Sequence, residues 1–326
     1  MKAFAGIDLG GTHIKYGLVN SDGRVLAFKK IPANAEQGGR EILKKLEKCG
    51  QELLDLAAKK RLSLDYIGIG SPGAVDSKRG QIQGHSPNIP GWKGTKVTSH
   101  LAKALDFPVY IGNDANLMAL AEMMFGSARG YRNAIFTTVG TGIGGAVMID
   151  GKLVLGKSFN AGEFGHVPII KDGRRCACGL KGCLESYASA PNLLQIAIKL
   201  AKNPQAKGTL ARHYKMVNTL TIRQLLRYFK EKDEIAIEAV TRQADYMASG
   251  FAAVINLLDL EAVIIGGGVA DGGGAAYIRL IESLLKKRIL PDSTRGLKVK
   301  KARLGNKAGL IGAAFQKESP AQRGSS

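Results

Sequence analysis

The sequence has little cysteine and is short of acid: four Cys in 326 residues, and 27 Asp and Glu against 47 Lys and Arg. Four thiols in a chain this long exclude a disulfide-stapled secreted scaffold. No signal peptide is legible, since "MKAFAGIDLGG" has one Lys, no long apolar run and an Asp at position 8. The most apolar stretch, "FAAVINLLDLEAVIIGGGVA", carries Asp259 and Glu261 at its middle and ends in glycines, which fits a buried helix leading into a strand, not a membrane span. A Walker A loop is absent, which excludes a P-loop kinase. These absences describe a soluble protein of a reducing, cytoplasmic compartment.

Basic charge and glycine are what the chain has in excess: a formal +20 and 42 Gly. A polyanion partner is one reading of that charge and a solvated basic surface the other. The cations are scattered along amphipathic patterns such as "REILKKLEKCGQELLDLAAKKR". The denser run Lys286–Arg303 has neither interleaved aromatics nor a nucleic-acid motif, so no nucleic acid is expected as a partner.

The pattern predicts a strand over 3–9, a "GGT" turn, and strands "HIKYGLV" and "RVLAFKKI". A helix over 39–60, the strand "YIGIG" and the turn "SPGAVD" follow, then a helix–strand unit ending in "FPVYIGND" and a helix over 115–125. Near Asn133 the order begins again: "AIFTTV", the turn "GTGIGG", "AVMID" and "GKLVLG". Helices dominate 184–258, followed by the strand "AVIIG", a "GGG" turn, a helix to 287, a strand in "LKVKKARL" and a last helix. Two halves of similar order, each opened by a glycine hairpin, predict two related α/β domains with a cleft between them.

Three of the four cysteines fall in "GEFGHVPIIKDGRRCACGLKGCLE". His166, Cys176, Cys178 and Cys183 form a Cys₃His set, of the number and softness that tetrahedral zinc takes. A disulfide there would strand one thiol. Four protein ligands leave no open position, so the metal is structural and the chemistry lies beside it, where Glu163 and Glu185 flank the loop. Carboxylates accept hydrogen bonds from sugar hydroxyls. Two surface acids are the plain alternative.

Three glycine turns follow strands: "DLGGT" (Asp8, Gly10, Gly11, Thr12), "TVGTGIGG" (Thr138, Gly140, Thr141, Gly142) and Gly266–Gly267–Gly268. Successive amides in such turns can cradle phosphate. "GTGIGG" approaches dinucleotide spacing, but no suitably placed acid follows it. "IGNDAN" ends a strand in Asn113 and Asp114. These two are helix caps on one reading, and Asp114 a general base at a strand end on the other. The residues alone leave both open. Cys49 sits in a helical pattern as a core residue.

Taken together, "GIDLGGT", "GIGSPGAVD", "SPNIPGW", "GNDAN", "TVGTGIGG", "GEFGH", "CACGLKGCLE", "INLLDLEAVIIGGG" and "AGLIGAA" resemble the ROK family of bacterial sugar kinases and sugar-responsive repressors, across nearly the whole chain. The resemblance implies two actin-like, ribonuclease H-like α/β domains with a cleft and a zinc-bound loop. Residues 1–117 would form the small domain, rejoined by a C-terminal helix over 305–317. Residues 118–304 would form the large one with the zinc loop at 166–183, and 318–326 a disordered tail. It further implies phosphorylation of a hexose, most often glucose, at its 6-hydroxyl by ATP. Asp114 would be the base. Gly73, Asn88, Asn113, Asp114, Glu163, His166 and Glu185 would hold the sugar. Asp8 would position Mg²⁺, and the three glycine turns would hold the nucleotide. Zn²⁺ would be structural, and the assembly a homodimer or homotetramer. His13 departs from the Lys or Asn that relatives often carry. The repressors place a winged helix ahead of the first strand, which here opens at Ala3, so an enzyme is expected. N-acetylmannosamine, fructose or another hexose as acceptor, polyphosphate as donor, and a sugar-binding regulator without a DNA-binding domain are the alternatives.

Overall fold

A computed structural model describes residues 1–84, 86 and 89–318. The sugar-contact candidate Asn88 and residues 319–326, most of the expected tail, lie outside the described residues. The described residues form twelve strands: β1 (Phe4–Leu9), β2 (His13–Val19), β3 (Val25–Pro32), β4 (Ile67–Ser71), β5 (Val75–Asp76), β6 (Gln81–Ile82), β7 (Val109–Asn113), β8 (Ala134–Val139), β9 (Ile143–Ile149), β10 (Lys152–Leu153), β11 (Ala262–Gly266) and β12 (Lys298–Lys301). The α-helices are α1 (Gly39–Lys59), α2 (Val97–Leu105), α3 (Asp114–Phe125), α4 (Glu185–Ala188), α5 (Ala190–Ala201), α6 (Thr209–Val217), α7 (Ile222–Lys230), α8 (Glu234–Leu258), α9 (Gly267–Lys286) and α10 (Ala308–Ala314).

Two five-stranded mixed sheets run in the orders β3-β2-β1-β4-β7 and β10-β9-β8-β11-β12. In each, a central strand is followed by an antiparallel hairpin on one side and joined by parallel strands on the other. The repeated order legible in the sequence is therefore a repeated sheet. β1 is buried along its whole length and β4 likewise, as strands covered on both faces must be. The apolar stripe of α1 (Ile42, Leu46, Cys49, Leu53 and Ala57) packs into the same core as β1, β4 and β7. Among the described residues, no helix is long and apolar enough to cross a membrane.

The chain divides into two compact units: residues 1–130, 147–161 and from Asn306 onward, and residues 131–146 with 162–305. Residues 118–130 and 147–161, which the sequence reading assigned to the larger domain, thus group with the first unit. The physical reason is α3, which packs on α10 with backbone nearly touching backbone: a Cβ on Gly312 would lie 1.7 Å from the Leu117 carbonyl oxygen. Gly266–Gly268, expected as a turn, instead start a helix, with Gly266 as the N-cap of α9, which is broken at Gly274. The expected final helix over 305–317 is regular only over α10, with a 3-10 turn before it.

Candidate functional site

In the first unit the parallel strands β1, β4 and β7 end side by side, Asp8 opposite Gly70 and Gly70 opposite Gly112. Carboxyl ends of parallel strands are where α/β sheets bind ligands, because the connecting loops part there. Asp8 is 4% exposed. Its Oδ2 accepts a hydrogen bond from Lys15 Nζ at 3.2 Å, across the β1–β2 pair. Burial raises the Asp8 carboxyl above its ordinary value, and the Lys15 ammonium opposes that rise. α10 closes over it: a Cβ on Gly309 would lie 2.6 Å from Asp8 Cγ, so only glycine fits there. Gly70 lies between the two acids, its Cβ position 3.8 Å from Asp8 Oδ1 and 3.8 Å from Asp114 Cα.

Asp114 opens α3, and its Oδ1 accepts from the Ala115 amide at 2.8 Å. Asn113 is the N-cap: its Oδ1 accepts from the Asn116 amide at 3.0 Å, while its Nδ2 donates to the Gly73 carbonyl at 3.0 Å. The cap reading thus holds for Asn113, whose side chain is committed to the helix and to the turn at Gly73. Trp92, 1% exposed, donates from Nε1 to Ser71 Oγ at 2.9 Å, anchoring the start of that turn.

In the second unit the four soft ligands converge. His166 Nδ1, Cys176 Sγ, Cys178 Sγ and Cys183 Sγ lie within 4.8 Å of one another. Cys178 Sγ and Cys183 Sγ are 3.7 Å apart, as are Cys176 Sγ and His166 Nδ1. With Zn–S bonds of about 2.3 Å, a tetrahedron has an edge of about 3.8 Å, so donor set and spacing both fit zinc. Burial raises the Cys183 thiol, and hydrogen bonds with Cys178 and Cys176 carry it up to about 12. Burial works to raise Cys176 too, but the Cys178 backbone and the Ser186 hydroxyl outweigh it and bring that thiol down to about 7. Thiols so crowded cannot all ionise unless a cation takes the charge. The loop is pinned by paired bridges, Pro168 with Cys183 and Arg175 with Lys181, and the Arg174 amide donates to the Tyr187 hydroxyl at 2.6 Å.

A scan against family models matches the ROK family over residues 4–318. The chain belongs to the ROK family. It is 32% identical to a glucokinase of Halalkalibacterium halodurans over 325 residues, covering 98% of this chain and 97% of that protein. It is 33% identical to a glucokinase of Thermotoga maritima, covering 95% of each. Among solved structures it resembles a ROK family glucokinase from Streptomyces griseus in complex with glucose and AMPPNP, at 30% identity and a TM-score of 0.81, over 96% of this chain and 98% of that one.

Beside the ROK zinc loop, Phe164 stacks on Phe251 with centroids 4.7 Å apart, which fixes the short turn carrying Glu163 and His166. His166 turns Nδ1 to the thiols and Nε2 to Glu163, whose Oε2 is 4.0 Å away. Burial raises the Glu163 carboxyl; His166 lowers it and Glu185 raises it further. Glu163 and His166 are therefore neighbours, and the Glu185 charge is felt at Glu163. Glu185 is nevertheless engaged: its Oε2 accepts from the Ile143 amide at 2.7 Å.

Thr138 and Gly266 pair at the ends of β8 and β11, which brings the second and third glycine turns together. In both hairpins the first glycine spends its amide inside the turn: Gly10 donates to His13 carbonyl at 3.0 Å and Gly140 to Gly142 carbonyl at 2.9 Å. Those two amides are thus taken up within the turns themselves. Gly11 and Thr12, and Thr141 and Gly142, are the remaining candidates, with Gly268, whose Cβ position has nothing within 4 Å. Sequence reasoning passed over Lys15, Trp92 and Ile143. Only Lys15 left a signal, since a hairpin that turns at residues 10–12 sets it across from Asp8.

Proposed function

We propose that this ROK protein is an ATP-dependent hexose kinase that phosphorylates the 6-hydroxyl, with glucose as its foremost acceptor. The observation that carries the reading is Asp114, set just after β7 with the buried Asp8 close by, each within 3.8 Å of the position a Cβ on Gly70 would take, which supports a base and a metal-binding carboxylate side by side. Similarity to glucokinases over nearly the full length supports the acceptor.

Phosphoryl transfer asks the protein for position and charge, with little covalent work. Asp114 would take the proton of the sugar hydroxyl as its oxygen bonds to the γ-phosphorus, the bond to the β-phosphate oxygen breaks, and ADP leaves with that electron pair. Glu163 and Glu185 would accept from the other hydroxyls and His166 would donate to one through its Nε2–H, with Asn113 and Gly73 shaping the sugar's seat. The amides of Gly11, Thr12, Thr141 and Gly142 would receive phosphate oxygens. The hard oxygens of Asp8 suit Mg²⁺, which when bound would neutralise phosphate charge. His166 would hold the sugar wall and the zinc at once, through its two nitrogens. The thiols of that site would suit a reducing cytoplasm.

The test is coupled ADP release with ATP and Mg²⁺ against glucose, mannose, fructose, N-acetylglucosamine and N-acetylmannosamine. A preference for glucose is the expected result. Silence on all five sugars by folded, zinc-loaded protein would overturn the kinase reading with ATP as donor.

A further inference from the structure

Glu185 stands two residues after the zinc ligand Cys183 and opens α4. The Ile143 amide that its Oε2 accepts belongs to the residue immediately after Thr141 and Gly142. Five residues on, the Ala190 amide donates to the Gly140 carbonyl at 2.8 Å. Residues 185–190 therefore clasp the β8–β9 hairpin on both sides of its two remaining amides. α4 is itself fixed from below. Gln243 Nε2 donates to the Ala188 carbonyl at 2.7 Å and Tyr277 hydroxyl to Gln243 Oε1 at 2.9 Å, with Gln243 and Tyr277 fully buried.

Gly142 reports how closely the carboxylate is seated: a Cβ there would lie 2.5 Å from Glu185 Oε2. The carboxylate fills the space a side chain would take, so glycine at 142 and glutamate at 185 are parts of one fitting. A hairpin of Gly-Thr-Gly has little of its own to hold a shape, because glycine leaves the backbone free. Spending the Ile143 amide on a charged acceptor fixes the strand direction there. It leaves the two preceding amides aimed by the hairpin rather than by the ligand.

We propose that Glu185 is a positioning residue for the phosphate-binding hairpin, setting Thr141 and Gly142 through Ile143, in addition to any contact with sugar. The inference rests on the kinase reading. Charge argues that the role is positional: a carboxylate near a phosphate repels it, so only the acceptor function of Glu185 can favour nucleotide. Glutamine keeps that acceptor and drops the charge, whereas alanine removes both.

The experiment is calorimetric binding of AMPPNP with Mg²⁺, without sugar, to the zinc-loaded protein and to Glu185→Gln, Glu185→Ala, Gly142→Ala and the double Glu185→Ala/Gly142→Ala variant. Removing a hydrogen bond to a charged group predicts a loss on the order of tenfold in affinity for Glu185→Ala. Gly142→Ala should lose a similar amount by displacing the carboxylate, and adding it to Glu185→Ala should cost little more. Glu185→Gln should bind nucleotide as well as the native protein while its sugar KM rises. Zinc content and melting temperature serve as fold controls, and the Gln and Gly142 variants carry the test if the alanine variant fails to fold. Native nucleotide affinity in Glu185→Ala, with only sugar affinity lost, would overturn the proposal. Additive losses in the double variant would do the same. A native protein that binds no AMPPNP would overturn the kinase reading itself, which the sugar panel detects separately.

Discussion

Asp114 is oriented before any sugar arrives, because its Oδ1 already accepts from the Ala115 amide at the start of α3. Asp114→Asn keeps the shape and removes the proton acceptor. kcat should fall by on the order of 10²–10⁴, with glucose binding retained by calorimetry; an unchanged kcat would remove Asp114 as the base. Asp8 yields a prediction in pH. Burial raises its folded pKa above the ordinary 3.8, so its contribution to stability is fully present below the ordinary carboxylate range and is lost as pH rises through the raised value. Asp8→Asn does not titrate. Without nucleotide and Mg²⁺ it should be at least as stable as the native protein at pH 7, its relative advantage shrinking toward pH 4. Thermal melts across that range check it, and a gap that does not move with pH would refute it. Both acids were legible because a glycine turn and a helix start punctuate the sequence beside them. Lys15 becomes meaningful only through the cross-strand pairing that sets it opposite Asp8.

At the scale of elements, α10 and the zinc loop act as clamps. "AGLIGAA" was readable as a helix, but its glycines matter through what they touch. Gly309 leaves room for the Asp8 carboxylate. Gly309→Ala forces the two together, and overpacking of this kind costs typically about 1–3 kcal/mol, to be read as a lower urea midpoint. Phosphoryl transfer should fall with it, since the displaced group is the carboxylate proposed to hold Mg²⁺. Cys178→Ser should abolish stoichiometric zinc in a metal assay and lower the melting temperature, because structural zinc holds a loop that has little core of its own. A zinc-free, fully active variant would end the structural role. The loop's ligands were legible from residue type alone. The engagement of Glu185 with Ile143 was not, since 42 residues separate them and no local pattern records the contact.

For the whole molecule, the doubled order of strands and glycine hairpins predicted two related α/β sheets, and two sheets of matching topology form. The +20 charge belongs to this scale as well. With ATP as donor, bound through a few amides and Mg²⁺, kcat/KM should fall only modestly between 0.05 and 0.5 M salt, whereas a long polyphosphate held by the general surface charge should lose activity steeply as ions screen it. Steady-state rates over a salt series with each donor decide the matter, and a steep loss with ATP would favour the polyanion reading. Sequence by itself determined the two sheets, the Cys₃His ligand set and the acids at the strand ends. Each is written in local periodicity, in turn residues or in side-chain chemistry. Tertiary structure alone decided that Glu185 engages the Ile143 amide, that Asn113 also reaches the turn at Gly73, and which segments join each unit. Those outcomes depend on close contacts between residues far apart in the chain, and a backbone group's partner is chosen by packing, which no single stretch of sequence specifies.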